Sequence, residues 1–142
     1  MQLMRVAPVS KTVQSHLLAA ARPVTEPKGA VLFHRDDPAV GIFLVRKGSI
    51  SLRLESVEGR AILVRTVTPG SIIGLPATLS GGHYSLTAVT REKSELALID
   101  RPTLLELIKG DPSLGLELLR ALGEEVAQMR AVLASQPAPA PA

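Results

Sequence analysis

From Val24 to Asp100 the apolar residues come in short runs: VTE, AVLFH, GIFLVR, SISLRLE, AILVRTV, SII, YSLTAV and SELALID, with turn-forming residues between many of them. Runs of this length, rich in Val, Ile and Leu and punctuated by Gly, Pro and Asp, read as β-strands. In SISLRLE, Ile50, Leu52 and Leu54 alternate with Ser51, Arg53 and Glu55, so one face is predicted buried and the other wet. This is an antiparallel pattern, and it argues against a parallel α/β sheet. Eight short strands in one domain point to a sandwich or jelly roll. The punctuation is mechanical: Asp36-Asp37-Pro38 and Glu58-Gly59 form turns, and Lys47-Gly48 sits where two strands fold back as a hairpin.

Outside this stretch the period lengthens. Residues 1–9 read as a loose arm, and Ser10 caps a helix over roughly Lys11 to Ala21, with Val13, Leu17 and Ala21 on one face and Pro23 as its stop. After Asp100, RPTLLELIK suits a short helix closed by Gly110. Asp111-Pro112 is an N-cap followed by proline at the first helical position, opening a second helix to about Ser135. The final QPAPAPA cannot pack and is expected to be extended or disordered. The organisation is then an N-terminal arm and helix (1–22), a β-barrel with a short helix (23–110), a C-terminal helix (111–135) and a Pro/Ala tail (136–142).

Composition narrows the class. A chain of 142 residues forms one domain with a core of its own. Hydrophobic residues make up 46% but aromatics only 2%, so the interior must be aliphatic. The net charge of +3 raises nucleic acid as a partner, yet the 16 basic and 13 acidic residues are interspersed, which reads as a solvated mixed surface. With no cysteine there are no disulfides, thiolate metal sites or iron–sulfur clusters. No secretory run and no stretch of 18 apolar residues occurs, so the expectation is a cytoplasmic protein without membrane contact.

The segment PGSIIGLPATLSGGHYSLTAV, Pro69 to Val89, carries the most information. A strand at Ser71 to Ile73 leads into one helical turn, Pro76 to Leu79, then a Gly81-Gly82 turn and a strand from Tyr84. This layout resembles the phosphate-binding cassette of the cyclic nucleotide-binding domain family, the sensor module of the catabolite-activator regulators and of kinase regulatory subunits. Gly74 takes the family's glycine position and Thr87 a threonine, and Ile99-Asp100-Arg101 falls on the tripeptide that opens the first helix after the barrel. Phe33, Asp36-Asp37-Pro38 and the run from Ile42 to Gly48 resemble the family's approach to its glycine turn. The resemblance spans roughly residues 20–134 and implies a double-stranded β-helix or jelly-roll barrel of about eight antiparallel strands, one N-terminal helix and two C-terminal helices.

Two departures bear on function. Where the family presents a glutamate to the ribose this chain has Leu75, and where it presents an arginine to the cyclic phosphate this chain has Tyr84. A charge-assisted contact of that kind contributes on the order of 1.5–3 kcal/mol, so losing both is expected to weaken cyclic nucleotide binding by roughly two to four powers of ten. What remains of the cassette as a ligand site is Gly74, Leu75, Ala77, Thr78, Leu79, Tyr84, Ser85 and Thr87, whose backbone N–H groups and hydroxyls are candidates to cradle a small anion. The expectation is a non-catalytic regulatory or sensor module with a small-molecule effector and no tightly held cyclic nucleotide or other cofactor. A second reading is recognition of a cyclic nucleotide or other small anion through a divergent pocket, with Tyr84 in place of the arginine.

A third reading, from another class, is a small cupin-like metalloenzyme, but His16, His34 and His83 are scattered and form no H-x-H pattern. No nucleophile elbow or Walker loop is present, so no enzymatic activity is expected. The last helix offers Gly115, Leu119, Leu122, Val126, Met129 and Leu133 at alternating spacings of four and three, a coiled-coil seam. Leu119, Leu122, Val126, Met129 and Leu133 are therefore candidates for a homodimer interface, as in the catabolite-activator family; the plainer alternative is a helix that only covers its own core. Regulators of that family continue into a helix-turn-helix where this chain reads QPAPAPA, so DNA binding by this chain alone is not expected. The protein partner is unknown.

Overall fold

The computed structural model of the protein describes residues 2–135, with the side chains of residues 2–5, Leu63, Val132 and Leu133 left aside; the Pro/Ala tail at 136–142 lies outside the described residues. The elements run β1 (Gln2–Arg5), α1 (Lys11–Leu18), β2 (Arg22–Glu26), β3 (Val31–Phe33), β4 (Gly41–Lys47), β5 (Ile50–Glu55), β6 (Ala61–Val67), β7 (Ile72–Ile73), α2 (Leu75–Ser80), β8 (Thr87–Thr90), β9 (Ser94–Asp100), α3 (Arg101–Gly110) and α4 (Pro112–Ser135).

The strands form two sheets, in spatial orders β1-β6-β5-β8-β3 and β2-β9-β4-β7. The expected jelly-roll architecture is present, as two facing sheets without a closed ring. The sheet edges are not stitched together, because β7 has two residues and β3 three with a break in register, too little ladder to close the ring. Apart from β1 on β6, the pairings are antiparallel.

Strand β4 explains the layering. Residues 42–45 are buried without a break, because the strand lies between two cores and its period-two alternation divides its side chains between them. Phe43 and Val45 join Ile50, Leu52, Val67, Ile73 and Leu96 between the sheets. Ile42 and Leu44 join Ala97 and Ile99 of β9 against Val13 and Leu17 of α1, Leu104 of α3, and Leu114 and Leu118 of α4. The layers are therefore sheet, sheet and helices. On β5 the wet face is only partly wet, since Ser51 is buried and accepts a hydrogen bond from Arg53 Nε at 3.1 Å.

The N-terminal arm is more ordered than its sequence suggests. Residues 2–5 form β1, parallel to β6 with Gln2 opposite Leu63 and Arg5 opposite Thr66. Val6 N–H donates to Thr66 O, Val9 N–H to Gly70 O, and the buried Ser71 hydroxyl to Val6 O at 3.1 Å. Four residues are too few to show a period, so a strand completed by a distant partner reads as coil.

Caps fix the helices. Ser10 Oγ accepts from Val13 N at the start of α1, which stops at Leu18 so that the chain can turn into β2. Asp100 accepts from Thr103 N at 2.9 Å, and the hydrogen bonds from Thr103 hold its carboxyl below the usual carboxylate range. Asp111 Oδ1 accepts from Ser113 N and Leu114 N at the start of α4. Among the described residues no helix is long and apolar enough to cross a membrane.

Candidate functional site

Between the inter-sheet core and α4 the chain leaves a cavity of ≈ 410 Å³. Its floor comes from Phe33, Leu52, Leu54 and Arg65, its side from the α2 segment through Gly74, Pro76, Ala77, Tyr84, Ser85 and Leu86, and its lid from Glu125, Val126, Met129 and Arg130 of α4. The α2 segment is held by two left-handed glycines. Gly74, at φ 84°, precedes the helix, and Gly81, at φ 74°, follows it. A Cβ on Gly74 would lie 2.9 Å from the Tyr84 ring, so only glycine lets the ring close on the turn.

Tyr84 belongs to the fold more than to the cavity. It is 3% exposed, and its ring stacks on Phe33 with centroids 3.7 Å apart and planes at 13°. Phe33 in turn meets Phe43 at 6.2 Å, so the chain's three aromatic rings, its one Tyr and two Phe, form a single cluster. The Tyr84 hydroxyl donates to Gly41 O at 2.7 Å and accepts from Val40 N at 3.2 Å and Gly41 N at 3.3 Å. All of its hydrogen-bonding capacity is spent on backbone.

The other predicted cassette residues divide. Gly74, Ala77 and Ser85 line the cavity together with Tyr84. Leu75 and Leu79 turn to the opposite side and pack in the helix-side core, and Leu75 borders a second cavity, ≈ 450 Å³, between the N-terminal arm and α4. Thr78 is fully buried; its N–H donates to Gly74 O, its carbonyl accepts from Arg101 Nε at 2.9 Å, and its hydroxyl has no partner among the described residues. Thr87 Oγ1 accepts from Arg35 N at 3.0 Å and is spoken for by that turn.

The residue that sequence reasoning missed is Arg65. It lies on β6 opposite Leu52, in phase with Val67, so it faces inward and is 4% exposed. Its Nη1 donates to Glu125 Oε1 of α4 at 2.7 Å, while Nε and Nη2 are buried with no partner among the described residues. The signal was present in the sequence: AILVRTV carries an arginine at an apolar phase of the strand alternation.

On α4, Leu118 is buried, Leu122 packs on the helix-side core and Met129 faces the cavity. Leu119 and Val126 are 61% and 50% exposed, and Leu116, 52% exposed, extends the same stripe. The side chain of Leu133 lies outside the described residues. His16 is near Asp111, whereas His34 and His83 are solvent-exposed, and among the described residues no three His, Asp or Glu side chains gather as a metal site.

A family model described as the cyclic nucleotide-binding domain matches residues 23–111. The transcriptional regulatory protein btr of Bordetella pertussis is 31% identical over 108 residues, 76% of this chain and 44% of that protein. The cyclic AMP receptor protein of Thermus thermophilus is 29% identical over 86 residues, 61% of this chain and 40% of that protein. The chain thus spans less than half the length of these relatives. In three dimensions the Thermus thermophilus catabolite activator protein superposes with a TM-score of 0.79 at 23% identity, covering 88% of this chain and 59% of that one, a likeness of fold.

Proposed function

The chain belongs to the cyclic nucleotide-binding domain family, and from that premise we propose that it is a non-catalytic regulatory sensor module that does not hold cyclic nucleotides tightly. One observation carries the reading: the side chain in the arginine slot, Tyr84, is stacked on Phe33 and tied by its hydroxyl to Gly41. It has no charge to offer a phosphate and no free hydrogen-bonding position. Leu75, in the glutamate slot, points into the helix-side core and cannot reach a ribose in the cavity. The cavity itself persists, which favours an effector of different chemistry over none. Isothermal titration with cyclic AMP and cyclic GMP is expected to show no saturable heat at ligand concentrations up to about 100 μM. A micromolar Kd for either nucleotide would refute this and support a divergent cyclic nucleotide pocket.

We place the output of the module on α4, which closes the cavity on one side and carries the exposed stripe Leu116, Leu119 and Val126 on the next, with Val126 at the edge shared by both. The spacing of three and then seven residues puts this stripe on one helical face, suited to pairing with the same helix of a second copy. The double variant Leu116→Glu, Leu119→Glu is expected to convert a dimer into a monomer in sedimentation velocity, and a monomeric parent chain at about 100 μM would remove the idea. Operator DNA is not part of this reading, since basic and acidic residues are interspersed along the chain. Transcriptional regulation is named for the Bordetella pertussis relative, and only the sensor role is carried over to this chain.

A further inference from the structure

Burying an arginine with part of its guanidinium unpartnered is costly, because charged groups leave water only when their hydrogen bonds are replaced. Arg65 is in that position: its side chain is 5% exposed, Glu125 engages Nη1, and Nε and Nη2 have no partner among the described residues. These two nitrogens lie side by side on one edge of the guanidinium and present parallel N–H groups, a fork that matches the two oxygens of a carboxylate. Arg65 also forms part of the wall of the 410 Å³ cavity. Resting on the sensor reading above, we propose that Arg65 anchors the effector of this module, and that the effector is a monocarboxylate with an apolar body.

The rest of the cavity sets the ligand class. Phe33, Leu52, Leu54, Leu86, Val126 and Met129 supply apolar wall, which suits an aliphatic or aromatic body. The ionisable groups facing the cavity from its β and α elements are Arg65, Glu125 and Arg130, apart from the committed Tyr84 hydroxyl. Because Glu125 already shares the Arg65 charge, the site balances one further negative charge better than two, which disfavours a phosphate dianion. The ribose and base of a nucleotide would find little to hydrogen-bond with on these walls. The same guanidinium ties β6 to α4 through Glu125, so a ligand on its free edge acts on the junction between sheet and helix.

The test compares acids with their neutral isosteres. Phenylacetate and octanoate, with phenylacetamide and octanamide as controls, are titrated into the full chain and followed by calorimetry and thermal shift. The acids are expected to bind at least about tenfold more tightly than the amides, the effect of one charge-assisted pair. Arg65→Met is expected to abolish that preference by weakening the acids much more than the amides; the Glu125 carboxylate it leaves behind is 23% exposed and can be hydrated, so the loss of stability stays below that of stranding a fully buried charge. Arg65→Lys keeps the charge but loses the fork, and is expected to weaken the acids several-fold; it carries the test should the Met variant unfold. Acids that bind no better than amides, or that bind Arg65→Met and Arg65→Lys as they bind the parent, would overturn the proposal. Cyclic AMP titrated alongside separates the two readings: tight binding would sink the sensor reading of the preceding subsection, whereas a failed acid-over-amide contrast without nucleotide binding sinks only this one.

Discussion

Tyr84→Ala is expected to lower the free energy of unfolding by about 3–5 kcal/mol, the range for removing a large buried aromatic side chain. Three losses act together. The ring leaves a void against Phe33, the Gly74 turn loses the surface it closes on, and Gly41 O loses its hydroxyl donor. Tyr84→Phe isolates the last of these. It keeps the stack but leaves Gly41 O and the N–H groups of Val40 and Gly41 without the hydroxyl, at about 1–3 kcal/mol. Urea denaturation of both variants is the measurement, with the midpoint shift read at constant slope. If Tyr84→Ala cost less than about 1 kcal/mol, the phenol would not be the structural plug described above. It would then be free to meet a ligand, and the argument against cyclic nucleotides would lose its footing.

That role for Tyr84 could not be read from the sequence, although its position could. The cassette register fixed the place of this phenol, because glycines, proline and a short helix at fixed spacing are local features. The partner of the hydroxyl is 43 residues away, and no local pattern names it. The strands were legible for a similar reason: period-two alternation and turn residues act over a few positions. The failures were non-local. Residues 2–5 became β1 only because β6 had an open edge, and the division of the strands between two sheets rests on distant pairings such as β3 with β8.

The seam on α4 shows a subtler limit. Leu119 and Val126 can be grouped with either of two sets of apolar neighbours along the helix. Choosing Leu122 and Met129 as companions gives a regular heptad, yet the structure turns Leu122 to the helix-side core and Met129 to the cavity, leaving Leu116 with the exposed pair. A helix that covers its own domain on one face and offers a second face outward has more apolar positions than one seam needs, so the heptad alone cannot say which face is which. Arg65 is the opposite case. The alternation of β6 gave its inward direction, and the missing fact was that Glu125, 60 residues later, engages only one of its nitrogens.

Gly41→Ala is expected to destabilise the chain by about 3 kcal/mol or more, through overpacking rather than backbone strain. A Cβ at this position would lie 2.3 Å from Ile99 O, 2.8 Å from Asp100 Cα and 3.0 Å from Ile99 C, all backbone atoms of β9 that cannot rotate aside. Relief requires moving β4 away from β9, and those two strands form the centre of the middle layer, where each carries side chains into both cores. The shift would also pull Gly41 from the Tyr84 hydroxyl, so the cost reaches the cavity wall. Gly59→Ala, in the β5–β6 turn, is the control: its φ of 81° carries a penalty of about 1–2 kcal/mol, but nothing stands within 4 Å of the added methyl. Chemical denaturation of the two variants is expected to place Gly41→Ala clearly below Gly59→Ala. Equal losses would mean that β4 and β9 can separate cheaply, and a middle layer that soft could not hold the three-ring cluster in place.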